Sequence, residues 1–83
     1  MKDHNEIKEK IRGFILNNTF VSPEQVQYDT HIFTEGIFDS MGFISLISFL
    51  EETFAIKARD SELLEDNFES IDAMASYIIR KLD

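Results

Sequence analysis

Apolar residues recur at helical spacing in three separate stretches of this chain. In the first, Ile7, Ile11, Phe14 and Ile15 fall at i, i+4, i+7 and i+8, which predicts a helix over 4–17. Asp3 and Glu6 stand at capping-box spacing, and the Asn17-Asn18 pair is a natural stop. Gly13 lowers helix propensity there by about 1 kcal/mol relative to alanine, which close packing against a neighbour would explain. In the second stretch, Phe43, Leu46, Ile47, Leu50 and Phe54 make one continuous buried face of a helix over about 40–54. Met41, Ile44 and Ser48 form a narrower stripe beside it, followed by Glu51 and Glu52. In the third, Ile71, Met74, Ala75, Ile78 and Leu82 repeat the stripe behind Ser70, a favoured N-cap residue. A short helix is expected at 60–66 carrying Leu63 and Leu64, with Phe68 packing the turn after it.

The connection over 18–38 holds Val26, Tyr28, Ile32, Phe33, Ile37 and Phe38, too many apolar residues for a solvated loop. It reads as a long loop pinned onto the core, a type that is often functional in a compact domain. Ser22-Pro23-Glu24-Gln25 fits a single turn, with Ser as cap and Pro at the first helical position. Gly36 is placed to supply a positive φ before the next helix. No stretch alternates with period two for long. The expected fold is all-α: a small four-helix bundle of three main helices plus one short one. With 83 residues it is one domain over 1–83, burying about 60–65% of its unfolded surface.

Composition narrows the chemistry. Hydrophobic residues at 43% suffice for one core and leave little chain for a deep, walled active site. The absence of cysteine excludes disulfides, thiolate metal sites and thiol catalysis. There is no apolar run near 18 residues and no signal-peptide pattern, so a cytoplasmic protein without stable membrane insertion is expected. Net charge is −8, and residues 35–72 hold ten acids against only Lys57 and Arg59. Such a one-sided field repels nucleic acid and anionic membranes and steers toward basic patches on partner proteins. A monomer is the default expectation.

Most familiar sites find no support. His4 and His31 form no recognisable ligand pattern with carboxylates, and 60–72 lacks the spacing of a calcium loop. Ser40 lacks a nucleophile elbow: of the two positions where glycines are required, 38 and 42, Phe38 fills the first. Glu51 and Glu52 are adjacent, so on a helix they point about 100° apart and suit a solvated face better than paired acid–base work. No base–orienter pair is evident, so no enzyme activity is expected.

What remains is Gly36-Ile37-Phe38-Asp39-Ser40-Met41-Gly42, a glycine turn leading to a serine where an apolar helix begins. Serine there is a good N-cap, which alone would account for it. The same position lies where backbone N–H groups and the helix dipole favour an attached phosphate. Ile37, Met41 and Ile44 around it are expected to be exposed as a docking surface, which a cap does not need.

These residues carry a resemblance. Gly36-Ile-Phe-Asp-Ser-Met, then Leu46 and Leu50-Glu51-Glu52-Thr53-Phe54, resemble the acyl and peptidyl carrier proteins. Asp29-Thr30 and Ile32-Phe33 fit the loop before that family's modified serine, and Leu63–Ile71 its third-helix region; nearly the whole chain stays in one register. The resemblance implies that a phosphopantetheinyl transferase moves 4′-phosphopantetheine from coenzyme A onto Ser40. The arm's thiol would then carry acyl or aminoacyl thioesters between loading and condensing or transferring enzymes. On this reading Ile37, Asp39, Met41, Ile44, Glu51 and Glu52 form the recognition surface for partners.

Gly42 and Ser45 depart from the fatty-acid-synthesis branch, which has further acids there, and Ile37-Phe38 stand where it has small residues. That is closer to the discrete carriers of specialised polyketide or nonribosomal-peptide metabolism. Asp-Ser-Met-Gly is also similar to D-alanyl carrier proteins of cell-wall modification, though Asn67-Phe68-Glu69-Ser70-Ile71 is not. An unmodified acidic helical interaction module is a further alternative, and the cargo stays open.

Overall fold

The computed structural model describes residues 4–82, and among these every regular element is helical. Helix α1 is His4–Asn17, α2 is Ser40–Phe54, α3 is Glu65–Phe68 and α4 is Ile71–Leu82. Single 3-10 turns lie at Pro23–Gln25 and Asp60–Glu62. This is the expected all-α bundle of three main helices and one short one. The expected capping box of α1 lies partly outside the described residues, at Asp3.

The stripes read from the sequence meet in one core. Ile7, Ile11 and Ile15 of α1, Leu46, Leu50 and Phe54 of α2, and Ile71, Met74, Ala75 and Ile78 of α4 are all buried. Packed aromatic rings thread through this core. Phe14 stacks on Phe49 at 4.3 Å and meets the edge of Phe38 at 6.3 Å; Phe38 in turn reaches Phe33 at 6.3 Å. From Phe33 the contacts continue edge-to-face to Phe43 at 5.4 Å, Phe68 at 5.5 Å and Tyr77 at 5.1 Å. Such pairs add about 0.5–1.5 kcal/mol each beyond burial, so the run ties α1, the long loop, α2, α3 and α4 together.

The long loop is pinned as expected, with Val26, Ile32 and Phe38 buried. Arg12 of α1 donates to the carbonyls of Val26 at 3.0 Å and Pro23 at 2.8 Å. Ile32 N–H donates to the Glu69 carbonyl at 3.1 Å, and Asp72 N–H to the Tyr28 carbonyl at 2.9 Å. Tyr28 also donates its hydroxyl to Glu9, and that hydrogen bond raises its pKa above the usual phenol value.

Three expectations need correcting. First, Gly13 faces open space: a Cβ there would meet nothing within 4 Å, so no close packing explains it. Second, Leu82 ends α4 half-exposed, and Tyr77, outside the predicted stripe, is buried instead. Third, the helix expected at 60–66 is replaced by the turn Asp60–Glu62 and by α3, with Leu63 and Leu64 exposed between them.

Glu62 causes the break. Its carboxylate accepts from Arg59 N–H at 2.9 Å, Tyr77 Oη at 3.1 Å and Lys81 Nζ at 2.9 Å, while Asn67 Nδ2 donates to its carbonyl at 2.8 Å. Tyr77 and Lys81, both from α4, together with the local bonds to Arg59 and Asn67, favour a turn here over a continuous helix. The Arg59 N–H, then Lys81, lower the Glu62 pKa from 4.5 to about 2, and burial pushes Tyr77 up to about 12 with help from Glu62.

Two outcomes are expected from these features. Gly13→Ala should stabilise the protein by about 0.5–1 kcal/mol, because the side chain gains propensity and meets no neighbour. In thermal unfolding that is a rise of a few °C; a fall would mean the site is tighter than its geometry. Because the folded pKa of Glu62 is depressed, its contribution is full above the ordinary carboxylate range and is lost as pH falls toward 2. Glu62→Gln should therefore lower Tm near neutral pH, with the gap to wild type closing between pH 4.5 and 2. A gap independent of pH would contradict this role.

Candidate functional site

The path into α2 is set by its backbone. Gly36 adopts φ +75, donates N–H to the Phe33 carbonyl at 3.1 Å and turns the chain back. Ile37 and Phe38 then both donate N–H to the Ile32 carbonyl, at 2.8 and 3.1 Å. That pair of bonds delivers the Phe38 ring into the core and leaves the next residue at the head of the helix.

Asp39 is the N-cap: its backbone is extended, and its Oδ1 accepts from Gly42 N–H at 2.9 Å. Ser40 is the first residue of α2. The capping role that serine alone would suggest is therefore filled one residue earlier. Gly42 has a separate reason to be glycine. A Cβ there would stand 2.8 Å from one Phe38 ring carbon and 3.0 Å from another, a distance real side chains do not tolerate. The ring thus lies flush against the first turn of α2.

The other expected site residues divide. Met41 is 73% exposed and Ile44 is 62% exposed, an apolar pair on the surface beside residue 40. Ile37 is not open as expected; it is half-buried against the core, because its N–H folds the backbone inward onto Ile32. Glu52 is exposed. Glu51 is occupied differently: its Oε2 accepts from Ala58 N–H at 3.0 Å, and its carbonyl accepts from Ile56 N–H at 3.3 Å. It therefore secures the turn after α2, where Ala55 takes the left-handed conformation at φ 54.

Two depressions flank the head of α2. One, of about 560 Å³, lies toward the α1–α2 loop and is lined by Asn18, Phe20, Gln25, Ile37, Met41 and Ser45 among others. The other, of about 440 Å³, is floored by Phe33, Phe38, Phe43 and Phe68, with Leu63. Phe20 is a residue that sequence reasoning missed. It is fully exposed, and nothing in the periodicity around it marks it. Among the described residues no group of three or more histidine, cysteine, aspartate or glutamate side chains could hold a metal ion. No helix among them is long and apolar enough to cross a membrane.

The arrangement suits attachment of a charged, flexible group better than catalysis at the domain itself. Residue 40 lies at the donor end of a 15-residue helix, where an added phosphate is favoured. Gly42, two residues on, adds no side chain to that first turn, and the neighbouring Met41 and Ile44 offer apolar surface.

Comparison with known proteins agrees with that chemistry. The family described as "Phosphopantetheine attachment site" matches residues 9–78. The acyl carrier protein of Campylobacter hominis is 32% identical over 73 residues, spanning 88% of this chain and 90% of that protein.

The Phe38–Gly42 contact has a measurable consequence. Gly42→Ala gains helix propensity but drives a methyl into a buried ring already held by Phe14 and Phe33. Overpacking of this kind costs about 1–3 kcal/mol, which outweighs a propensity gain of about 1 kcal/mol. The variant should melt below wild type, opposite in sign to Gly13→Ala; an equal rise in both would show that the ring yields freely.

Proposed function

This chain belongs to the phosphopantetheine-attachment family that includes the acyl carrier proteins, and we propose that Ser40 is the residue bearing its prosthetic arm. Members of the family are carriers and not enzymes, and the group they take is covalent 4′-phosphopantetheine. When bound, that group supplies a thiol on a long arm, which holds acyl or aminoacyl cargo as a thioester.

The observation that carries the assignment is the cap. Asp39 satisfies the first turn of α2, so serine at position 40 is not required for that purpose. Its flanks, exposed Met41 and ring-packed Gly42, leave the helix head accessible on one side and firm on the other. Attachment forms a bond from the Ser40 oxygen to phosphorus and breaks the pyrophosphate link of coenzyme A. Adenosine 3′,5′-bisphosphate leaves, and the serine proton passes to the transferase. A serine hydroxyl is a poor nucleophile unaided, so the transferase supplies activation and magnesium.

Partners would read the surface around this point. Asp39, Met41, Ile44 and Glu52 are the candidates the geometry favours, while Ile37 contributes shape from a half-buried position. Glu51 acts indirectly, by fixing the end of α2. An apolar patch near residue 40, with acids farther along, supports a discrete carrier of specialised or fatty-acid-like metabolism.

Purified apo protein incubated with coenzyme A and a broad-specificity phosphopantetheinyl transferase should gain one pantetheine phosphate by intact mass, and Ser40→Ala should gain none. No adduct on the wild type, or an adduct that persists in Ser40→Ala, would end this reading.

A further inference from the structure

Phe20 is the most exposed large apolar side chain of the described residues, at 108% of its reference area. It is nevertheless held in place from both sides. Before it, Asn18 Nδ2 donates to the Phe14 carbonyl at 2.8 Å, and Thr19 Oγ1 donates to the Ile15 carbonyl at 2.8 Å. After it, Val21 packs against the core, and Ser22 N–H donates to Gln25 Oε1 at 2.9 Å. Arg12 then fastens Pro23 and Val26 to α1. A fully solvated ring contributes nothing to the fold, yet its backbone is anchored on each flank.

Phe20 shares the 560 Å³ groove with Asp39, Met41 and Gly42, the residues that bracket position 40. We infer that Phe20 is an anchor for the enzyme that modifies residue 40, inserting into an apolar recess bordered by basic side chains on that enzyme. The inference rests on the Ser40 assignment. A protein footprint covers about 800 Å² per partner, so an enzyme that reaches residue 40 also covers the adjoining groove. Aromatic rings are favoured anchors, and one whose backbone is already fixed loses less freedom on binding.

Charge selects this occupant over two others. Residues 35–72 carry ten acids against two bases, and Asp39 is the ionisable residue lining the groove. A second copy would bring the same acidic field against itself, and an anionic lipid surface would repel it. A basic-bordered protein surface is attracted by it.

The test is steady-state priming of full-length apo protein by a phosphopantetheinyl transferase with coenzyme A, read by intact mass. Phe20→Ala and Phe20→Ser should each raise KM for the carrier about tenfold with kcat unchanged. Ser76→Ala, on the exposed side of α4, serves as the neutral control. Added salt should raise KM for wild type and Phe20 variants alike. Circular dichroism should show the Phe20 variants folded as wild type, since the ring supports no packing.

Unchanged KM in both variants overturns the inference while leaving the Ser40 assignment intact, because an adduct still forms. A KM insensitive to salt overturns the basic border. Wild-type dimerisation that is abolished by Phe20→Ala, seen by sedimentation, assigns the ring to self-association and overturns it. Phe20-dependent binding to phosphatidylglycerol vesicles overturns it in favour of a lipid surface. A wild type that takes no adduct removes the Ser40 assignment and this inference together.

Discussion

The Phe38 ring and the bare α-carbon of Gly42 meet where the long loop becomes helix, and their contact fixes the head of α2. The loop reaches that point through two N–H groups converging on the Ile32 carbonyl, while Ile32 itself is tied by its own N–H to Glu69. Phe38 enters a core whose rings are already in contact on both sides. Once the ring is seated, Asp39 has one position from which to cap the helix, and residue 40 follows at its first turn. A bulkier residue at 42 or a different cap would move residue 40, the proposed point of attachment. The site is thus a consequence of packing, not of a catalytic constellation.

That arrangement suits a domain too small to enclose chemistry. A bundle of this size holds a modest core, and here it spends aromatic side chains on joining elements to one another rather than on walling a cavity. The sulfur that carriers of this family use is imported with the prosthetic arm, in keeping with a chain that has no cysteine of its own. What the chain supplies is a helix head fixed by packing, proposed as the tether point, an exposed apolar pair and an acidic field concentrated over 35–72. In the proposed role the field would act at long range on the rate of encounter, and the apolar side chains after contact.

The main helices were legible because their information is local. Apolar spacing marked the buried faces of α1, α2 and α4, Ser70 announced the start of α4 through its cap to Ala73 N–H, and Gly36 announced a positive φ. The failures share a cause, which is partnership across the chain. Glu62 reads as one more acid on a short helix until Tyr77 and Lys81, far along in sequence, claim its carboxylate. Glu51 reads as a solvated partner of Glu52 until the turn after α2 brings Ala58 N–H to it. Gly42 looks like the loss of an acid, and only the Phe38 ring shows why a side chain is excluded. Phe20 sits in a segment without period, where spacing carries no signal about exposure.

The proposed tether at residue 40 is tested most directly on protein isolated from its own cell, by intact mass followed by fragment mapping of the peptide that spans 36–44. A phosphopantetheine diester localised to Ser40 is the expected result. A peptide that is uniformly bare at Ser40 in cells with an active transferase, or one that bears the group at another residue, would contradict it.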